Sequence, residues 1–263
     1  MIDRLMPRGL DPVSGPGFIQ LIRSLDLEPT WPSAEGELAE LAAPDATTVL
    51  AARYRDGVVM IGDRQATEGY SVAHRRMQKV FPTDNFSVVA ISGTAGLAVE
   101  MVRLFQTELE HYEKIEGSRL SLDGKATYLA RMVRQQLPLA FQGLVVVPLF
   151  AGYDELEKEG RLFTFDVVGG RYEEHDFGAT GSGSREAKSY LRNRYQGDLE
   201  EADALNLVME ALVAAAEQDV ATAGPDPRRE IYPSVVTVTE DGYTELEAAV
   251  VEPIATAALE AVR

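Results

Sequence analysis

The sequence contains no cysteine, and this absence removes several kinds of chemistry at once. A chain without thiols forms no disulfide bonds, has no thiolate nucleophile and builds no cysteine-based metal site. Histidine is also scarce, and His74, His111 and His175 do not follow the spacing of metal ligands. We therefore assign no metal site.

Positive charge and long apolar runs are also in short supply. The chain carries 25 Lys and Arg against 42 Asp and Glu, a formal net charge of −17. Because phosphate binding needs a basic face, we expect no nucleic-acid partner. There is no run of 18 apolar residues and no apolar stretch typical of a secretory signal near the N-terminus. We expect a soluble cytoplasmic protein that does not bind membranes.

The chain changes character near residue 46. Residues 1–46 hold six of the 13 prolines and only short apolar stretches, which predicts a largely irregular leader with short helical pieces. From Thr47 onward the sequence becomes rich in β-branched and apolar residues, as in a folded domain. We interpret 1–46 as a propeptide and 47–263 as one globular domain.

The predicted elements of the globular part alternate in groups. Strands come first, then two helices, strands, two helices and strands again, with a last predicted strand over 243–251 before a short helix. Pairs of helices between strand groups do not suit a singly alternating parallel sheet. The order favours an α+β fold in which antiparallel sheets pack face to face between outer helices.

Thr47 stands where the leader ends and the first strand begins. A threonine hydroxyl is a weak nucleophile that needs a nearby base, and a free α-amino group can supply it when the threonine is the first residue. That amine titrates near pH 8, close to working conditions. From this feature alone, the favoured interpretation is an ordinary strand threonine, present for its β-propensity.

Further candidate residues follow along the chain. Asp63 follows an apolar strand and Lys79 precedes another, so an ion pair beside Thr47 is possible, although a turn residue and a solvated lysine are the plainer interpretations. Gly93 lies before a helix, where its N–H could stabilise an oxyanion. Later candidates are Ser182, in Gly181-Ser182-Gly183-Ser184, and Asp219 with Thr222 after a long helix.

Taken together, these motifs resemble the proteasome β subunits, and the segments Glu108–Lys114 and Ala223–Asp226 are particularly similar to the actinobacterial branch. The resemblance covers about 47–252 and rests on six segments in the family's order and near its spacing: Thr47–Ala51, Gly57–Arg64, Lys79–Phe81, Ile91–Ala95, Gly181–Ser184 and Asp219–Thr222. It implies the four-layer αββα sandwich of N-terminal nucleophile hydrolases, with two antiparallel sheets between helix layers. This agrees with the element order.

The resemblance also implies residue roles. Thr47 is the nucleophile, released by self-cleavage between Ala46 and Thr47, and its freed amine is the base. Lys79 eases deprotonation, Asp63 orients Lys79, the Gly93 N–H donates to the oxyanion, and the amine is supported by Ser182, Asp219 and Thr222. Thr67, Gly93 and Ala95 bind the substrate backbone as an added strand. A mostly apolar pocket is implied for the side chain before the cut, lined by Ala66, Met77, Phe81, Ile91, Ala95 and Val99.

The implied reaction is acyl transfer to Thr47 followed by ester hydrolysis, without a metal or organic cofactor. The implied partners are proteasome α subunits, other β subunits in stacked seven-membered rings, and an ATP-dependent unfoldase that delivers unfolded polypeptide through the α ring.

One position departs from the pattern, because the family usually has glycine where this chain has Ala46. The alanine is either natural variation or an engineered change, and it is expected to slow processing or leave a precursor. Alternatives to a catalytic subunit are a non-catalytic or unprocessed structural β-ring subunit, or another enzyme of the same fold class such as an amidase or a smaller bacterial ring protease.

Overall fold

In this computed structural model the structure describes residues 47–68 and 71–262. Twelve strands are assigned over these residues, namely β1 Thr48–Tyr54, β2 Gly57–Gly62, β3 Ala66–Glu68, β4 Ser71–His74, β5 Val80–Asp84, β6 Ser87–Gly93, β7 Val146–Asp154, β8 Glu159–Phe165, β9 Arg171–Glu174, β10 Phe177–Gly181, β11 Ser234–Thr239 and β12 Gly242–Glu245. The helices of the same residues are α1 Ala95–Glu116, α2 Leu122–Gln135, α3 Leu137–Ala140, α4 Ser184–Arg194, α5 Glu201–Gln218 and α6 Ala248–Ala261, with a 3₁₀ turn at Pro227–Arg229.

Two five-stranded antiparallel sheets form the centre of the fold. The first has the order β10-β1-β2-β11-β12 and the second the order β5-β6-β7-β8-β9, while β3 and β4 form a separate hairpin. In the first sheet, β1 lies between β10 and β2, with Thr48 opposite Gly181 and Val49 opposite Gly62. This register brings the start of β1 next to the ends of β2 and β10.

Side-chain alternation along the strands divides the core into three layers. Leu50 and Ala52 of β1 pack against α4, α5 and α6. Val49 and Ala51 of the same strand pack against the second sheet, because successive side chains of a strand point to opposite faces. The outer face of the second sheet packs against α1 and α2 through residues such as Phe150. The arrangement confirms the predicted αββα sandwich.

Local signals explain where several helices begin and end. The Ser121 side chain accepts a hydrogen bond of 3.1 Å from the Gly124 N–H, which satisfies one free donor at the start of α2. Helix α1 ends at Gly117, which adopts a left-handed conformation with φ +67°.

The structure differs from the sequence prediction in three places. The strand predicted over 243–251 ends at Glu245, and α6 begins at Ala248. A short apolar run suits a strand or a helix, and here Val251, Ala255 and Ala258, at helical spacing, are buried with α5 in the first core. The hairpin β3–β4 and the strands β9 and β10 were not predicted. None of the helices in the described residues is both long and apolar enough to cross a membrane.

Candidate active site

Thr47 lies directly before β1, and its carbonyl group is held by the turn that follows β10. The Ser182 N–H donates to the Thr47 oxygen at 3.0 Å. The preceding residue, Gly181, has φ +103°, and a Cβ at this position would lie 1.6 Å from that oxygen. Only glycine allows this approach, so the local sequence before Ser182 is what lets the turn bind the backbone of Thr47.

Asp63, the first residue after β2, accepts hydrogen bonds from four residues, one in its own loop and three in distant parts of the chain. Its Oδ1 accepts the Thr48 N–H at 3.0 Å and the Lys79 ammonium at 2.7 Å. Its Oδ2 accepts the N–H groups of Gln65 at 3.1 Å and Ala223 at 3.3 Å. All four bonds require an acceptor, which makes this carboxylate the common anchor of the site.

The Lys79–Asp63 pair is withdrawn from water. The Lys79 side chain is 2% exposed and the Asp63 side chain 0% exposed. The Lys79 ammonium also donates to the carbonyl oxygen of Gln65. Burial raises the pKa of the Asp63 carboxyl above its usual value, although the Lys79 ammonium and the backbone N–H groups of Thr48 and Gln65 act in the opposite direction. A buried charge that is paired in this way acts strongly on nearby groups.

Ser182, Asp219 and Thr222 come together although they are far apart in the sequence. Asp219 Oδ2 accepts the hydroxyl groups of Ser182 and Thr222, each at 2.5 Å. Its Oδ1 accepts the Ala221 N–H at 3.1 Å. The short turn after α5 thus bends around Asp219 and presents Thr222 to the start of β1.

Thr48 is a site residue that the sequence analysis missed. Its hydroxyl group lies 2.6 Å from the Thr222 hydroxyl and accepts the Gly183 N–H at 2.9 Å. The bond from Gly183 joins the loop 181–184 to the start of β1. The only sequence signal for Thr48 was its place next to Thr47, because the contact with Thr222 spans 174 positions.

Gly93 ends β6 in the second sheet, two residues beyond Ile91, whose N–H donates to the Lys79 oxygen at 3.1 Å. Successive N–H groups alternate between neighbouring strands, so the Gly93 N–H points to the same side as that of Ile91, past the first residue of β5. Gly93 has φ +111°, and a Cβ here would lie 2.0 Å from the Val145 oxygen. No other residue fits this position without moving the backbone.

The residues expected to line a substrate pocket occupy neighbouring elements. Phe81 of β5 and Ile91 of β6 both pack on the α1 side of the second sheet. Ala95 and Val99 lie in the first turns of α1. The Met77 N–H donates to the Arg64 oxygen at 2.9 Å, and Ala66 of β3 is buried. Thr67 belongs to β3, but its side chain, like all of Ala46, lies outside the part that the structure describes.

Within residues 47–68 and 71–262, no group of three or more His, Asp or Glu side chains is arranged to hold a metal ion.

The chain is similar to the proteins of one known family. A family model described as proteasome subunit matches residues 44–225, well over half of the chain. The proteasome subunit beta of Acidimicrobium ferrooxidans is 52% identical over 250 residues, covering 95% of this chain and 91% of the relative. The chain belongs to the proteasome subunit family, as a β subunit. Family β subunits are generally proteases that assemble with other proteasome subunits in rings.

Two further relatives carry the same description. The proteasome subunit beta of Streptomyces griseus is 55% identical over 204 residues, covering 78% of this β subunit and 73% of the relative. That of Stackebrandtia nassauensis is 48% identical over 256 residues, with coverage of 95% and 91%. These relatives confirm the family that the motifs predicted, the proteasome β subunits. The roles of the individual residues stay predictions.

Proposed function

We propose that this β subunit is a threonine endopeptidase whose nucleophile is the hydroxyl group of Thr47. The observation that carries the proposal is the double use of Asp63 Oδ1, which accepts both the Lys79 ammonium and the N–H of the peptide that joins Thr47 to Thr48. One buried carboxylate oxygen therefore fixes a cation relative to the threonine. A cation held near a hydroxyl favours its oxyanion form.

The proposed reaction is acyl transfer followed by hydrolysis. The Thr47 oxygen adds to the scissile carbonyl and its proton passes through the free α-amine to the leaving amine, so that an ester forms as the peptide bond breaks. Water then adds to the ester, and the hydroxyl regains its proton as the acid product leaves. The Gly93 N–H donates to the tetrahedral oxyanion in both steps.

In this scheme the remaining polar residues orient the amine. Ser182 and Thr222 both donate to Asp219, so the free lone pairs of Ser182 and the carboxylate can accept N–H groups of the amine. The substrate backbone is bound as an added strand by Thr67, Gly93 and Ala95. The side chain before the cut enters the pocket of Ala66, Met77, Phe81, Ile91, Ala95 and Val99, which favours hydrophobic residues.

We propose that residues 1–46 are a propeptide that prevents substrate hydrolysis until it is removed. While Ala46 is attached, the Thr47 nitrogen is an amide and cannot accept a proton, so substrate hydrolysis starts only after the bond between Ala46 and Thr47 is cut. The proposed setting is a chamber of stacked seven-membered β rings between α rings, supplied with unfolded polypeptide by an ATP-dependent unfoldase.

The first test replaces the nucleophile. In particles assembled with the α subunit, Thr47→Ala should abolish hydrolysis of hydrophobic peptide substrates and leave the full-length mass of the β chain, because no hydroxyl is available. Thr47→Ser, which keeps a hydroxyl, is the matched control and should retain measurable activity. Peptide hydrolysis by purified Thr47→Ala particles at the rate of the parent particles would falsify the proposal.

A second test concerns the residue before the cut. Ala46→Gly should speed leader removal, because glycine adopts backbone conformations at the scissile bond that alanine resists. The intact mass of the β chain, followed over time after assembly, measures the rate. Equal rates for the two chains would show that Ala46 does not limit processing.

A further inference from the structure

The hydroxyl group of Thr48 joins the start of β1 directly to the loop at Gly183 and to the turn after α5. It is fully buried at the start of β1. It accepts the Gly183 N–H at 2.9 Å and lies 2.6 Å from the Thr222 hydroxyl, which in turn donates to Asp219. The backbone N–H of the same residue donates to Asp63. Thr48 is thus bonded, through its two polar ends, to the surroundings of both carboxylates.

The direction of these hydrogen bonds follows from the number of protons available. Thr222 has one hydroxyl proton, and it donates this proton in a hydrogen bond to Asp219 Oδ2, which can only accept. The Thr48 hydroxyl must then donate to the Thr222 oxygen, and its own lone pair accepts the Gly183 N–H. This series of hydrogen bonds runs in one direction, from the backbone N–H of Gly183 through the hydroxyl groups of Thr48 and Thr222 to the Asp219 carboxylate.

We propose that Thr48 is a positioning residue for catalysis, whose hydroxyl holds Thr222 in place as a donor to Asp219. This inference rests on the proposed function of Thr47. Without the Thr48 hydroxyl, the Thr222 oxygen loses its incoming proton and the Gly183 N–H loses its acceptor. The turn that carries Asp219 then loses the hydrogen bond that joins it directly to β1, although the bonds of Ser182 and Ala223 remain, and the support for the Thr47 amine becomes less well defined.

The strand itself does not need this hydroxyl. Valine has the same branched shape and a strong preference for strands, so Thr48→Val keeps the packing of β1 while removing the hydrogen bonds. This region is closely packed, because a Cβ at Gly183 would lie 2.7 Å from the Thr222 oxygen and 2.9 Å from the Thr48 oxygen. Thr48→Ser, which removes only a methyl group, therefore keeps the hydroxyl without adding bulk.

The test compares kcat and KM for peptide hydrolysis by processed particles. Thr48→Val should lower kcat about tenfold with KM changed less than about twofold, because the lost bonds orient the amine and do not contact substrate. Thr48→Ser keeps the hydroxyl and should restore kcat to within about twofold of the parent. Thr83→Val is the matched control, since it removes a buried hydroxyl that donates to Ser87 in the other sheet, and its kcat should not change.

A double-mutant cycle makes the result independent of any general loss of stability. If Thr48 acts through Thr222, then Thr48→Val combined with Thr222→Val should be no slower than Thr222→Val alone. Additive losses, or a kcat for Thr48→Val equal to the parent, overturn the inference. Should Thr48→Val particles not assemble, Thr222→Val against Thr222→Ser tests the same link from its other end.

The two proposals fail in different ways. Activity that survives Thr47→Ala removes the proposed function and this inference together. An inactive Thr47→Ala beside a fully active Thr48→Val removes the positioning role of Thr48 alone.

Discussion

Lys79–Asp63 and Lys125–Asp84 are both ion pairs removed from most contact with water, yet their carboxylates hold different parts of the chain. Asp63 binds backbone N–H groups from β1, from its own loop and from the turn after α5. Asp84 accepts the Phe86 N–H at 3.0 Å and the Ser87 hydroxyl at 2.6 Å, both within its own hairpin turn. The second pair therefore joins α2 to one hairpin, whereas the first joins distant segments around Thr47.

This difference shows that burial of an ion pair does not by itself indicate catalysis. Lys125 is 5% exposed and also donates to Ser87 at 3.2 Å, so by burial and bonding it looks much like Lys79. What distinguishes the first pair is its hydrogen bond to the peptide next to Thr47, the proposed nucleophile. Removing a lysine from each pair, and then a carboxylate charge from each pair, tests whether that bond is what matters.

The largest expected effect comes from the two lysines. Lys79→Met should lower kcat about a hundredfold to a thousandfold, because it removes the cation proposed to stabilise the Thr47 oxyanion. Lys125→Met should leave kcat of the assembled particles within about twofold, while lowering stability by about 3 kcal/mol, since Asp84 loses its counter-charge.

Peptide hydrolysis per assembled particle, measured alongside the thermal transition, separates the two effects. Equal losses of kcat for the two lysine variants would remove the distinction between the pairs. The same conclusion would follow if Lys79→Met kept more than about a tenth of the parent kcat, because the charge would then contribute less than other groups.

Smaller effects are expected from the two carboxylates. Asp63→Asn keeps an acceptor for Thr48 and Lys79 but turns an NH₂ group towards the N–H groups of Gln65 and Ala223, so two donors lose their partner. We expect about a tenfold to hundredfold loss of kcat, consistent with about 1–3 kcal/mol for an unsatisfied buried group. Asp84→Asn, the matched change in the other pair, should leave kcat unchanged. A normal pace of hydrolysis and leader removal in Asp63→Asn would contradict the anchoring role.

The sequence predicted the layered fold because strand alternation and helix pairing are local patterns. It also marked Thr47, Asp63, Lys79, Ser182, Asp219 and Thr222, which the structure joins through a continuous set of hydrogen bonds. Gly93 lies on the other sheet, connected through the bond between Ile91 and Lys79. Their roles in catalysis stay predictions until the variants are measured.

The missed features depend on contacts that no local pattern reveals. Threonine is common in strands, so nothing in the local sequence distinguishes Thr48 from other strand residues. Its contact with Thr222 exists only because the turn after α5 lies next to β1 in the fold. Strand β10 was missed because Phe177–Gly181 is short and contains two glycines, which weakens a strand signal. The spacing of Val251, Ala255 and Ala258 did contain a helical period, and it could have corrected the last predicted strand.

The hydrogen bonds on the carboxyl side of Thr47 have a consequence for the chain end that the proposed processing would create. The Thr47 oxygen is bonded to the Ser182 N–H, and the next N–H is bonded to Asp63. None of these contacts involves the bond to Ala46, so cutting that bond leaves them intact. The new terminus would lie one residue before β1, with the carbonyl group of its first residue already hydrogen-bonded. Aminopeptidases and acetyltransferases that need an extended, freely accessible chain end would find none to trim or cap, and the terminal threonine would last as long as the folded subunit.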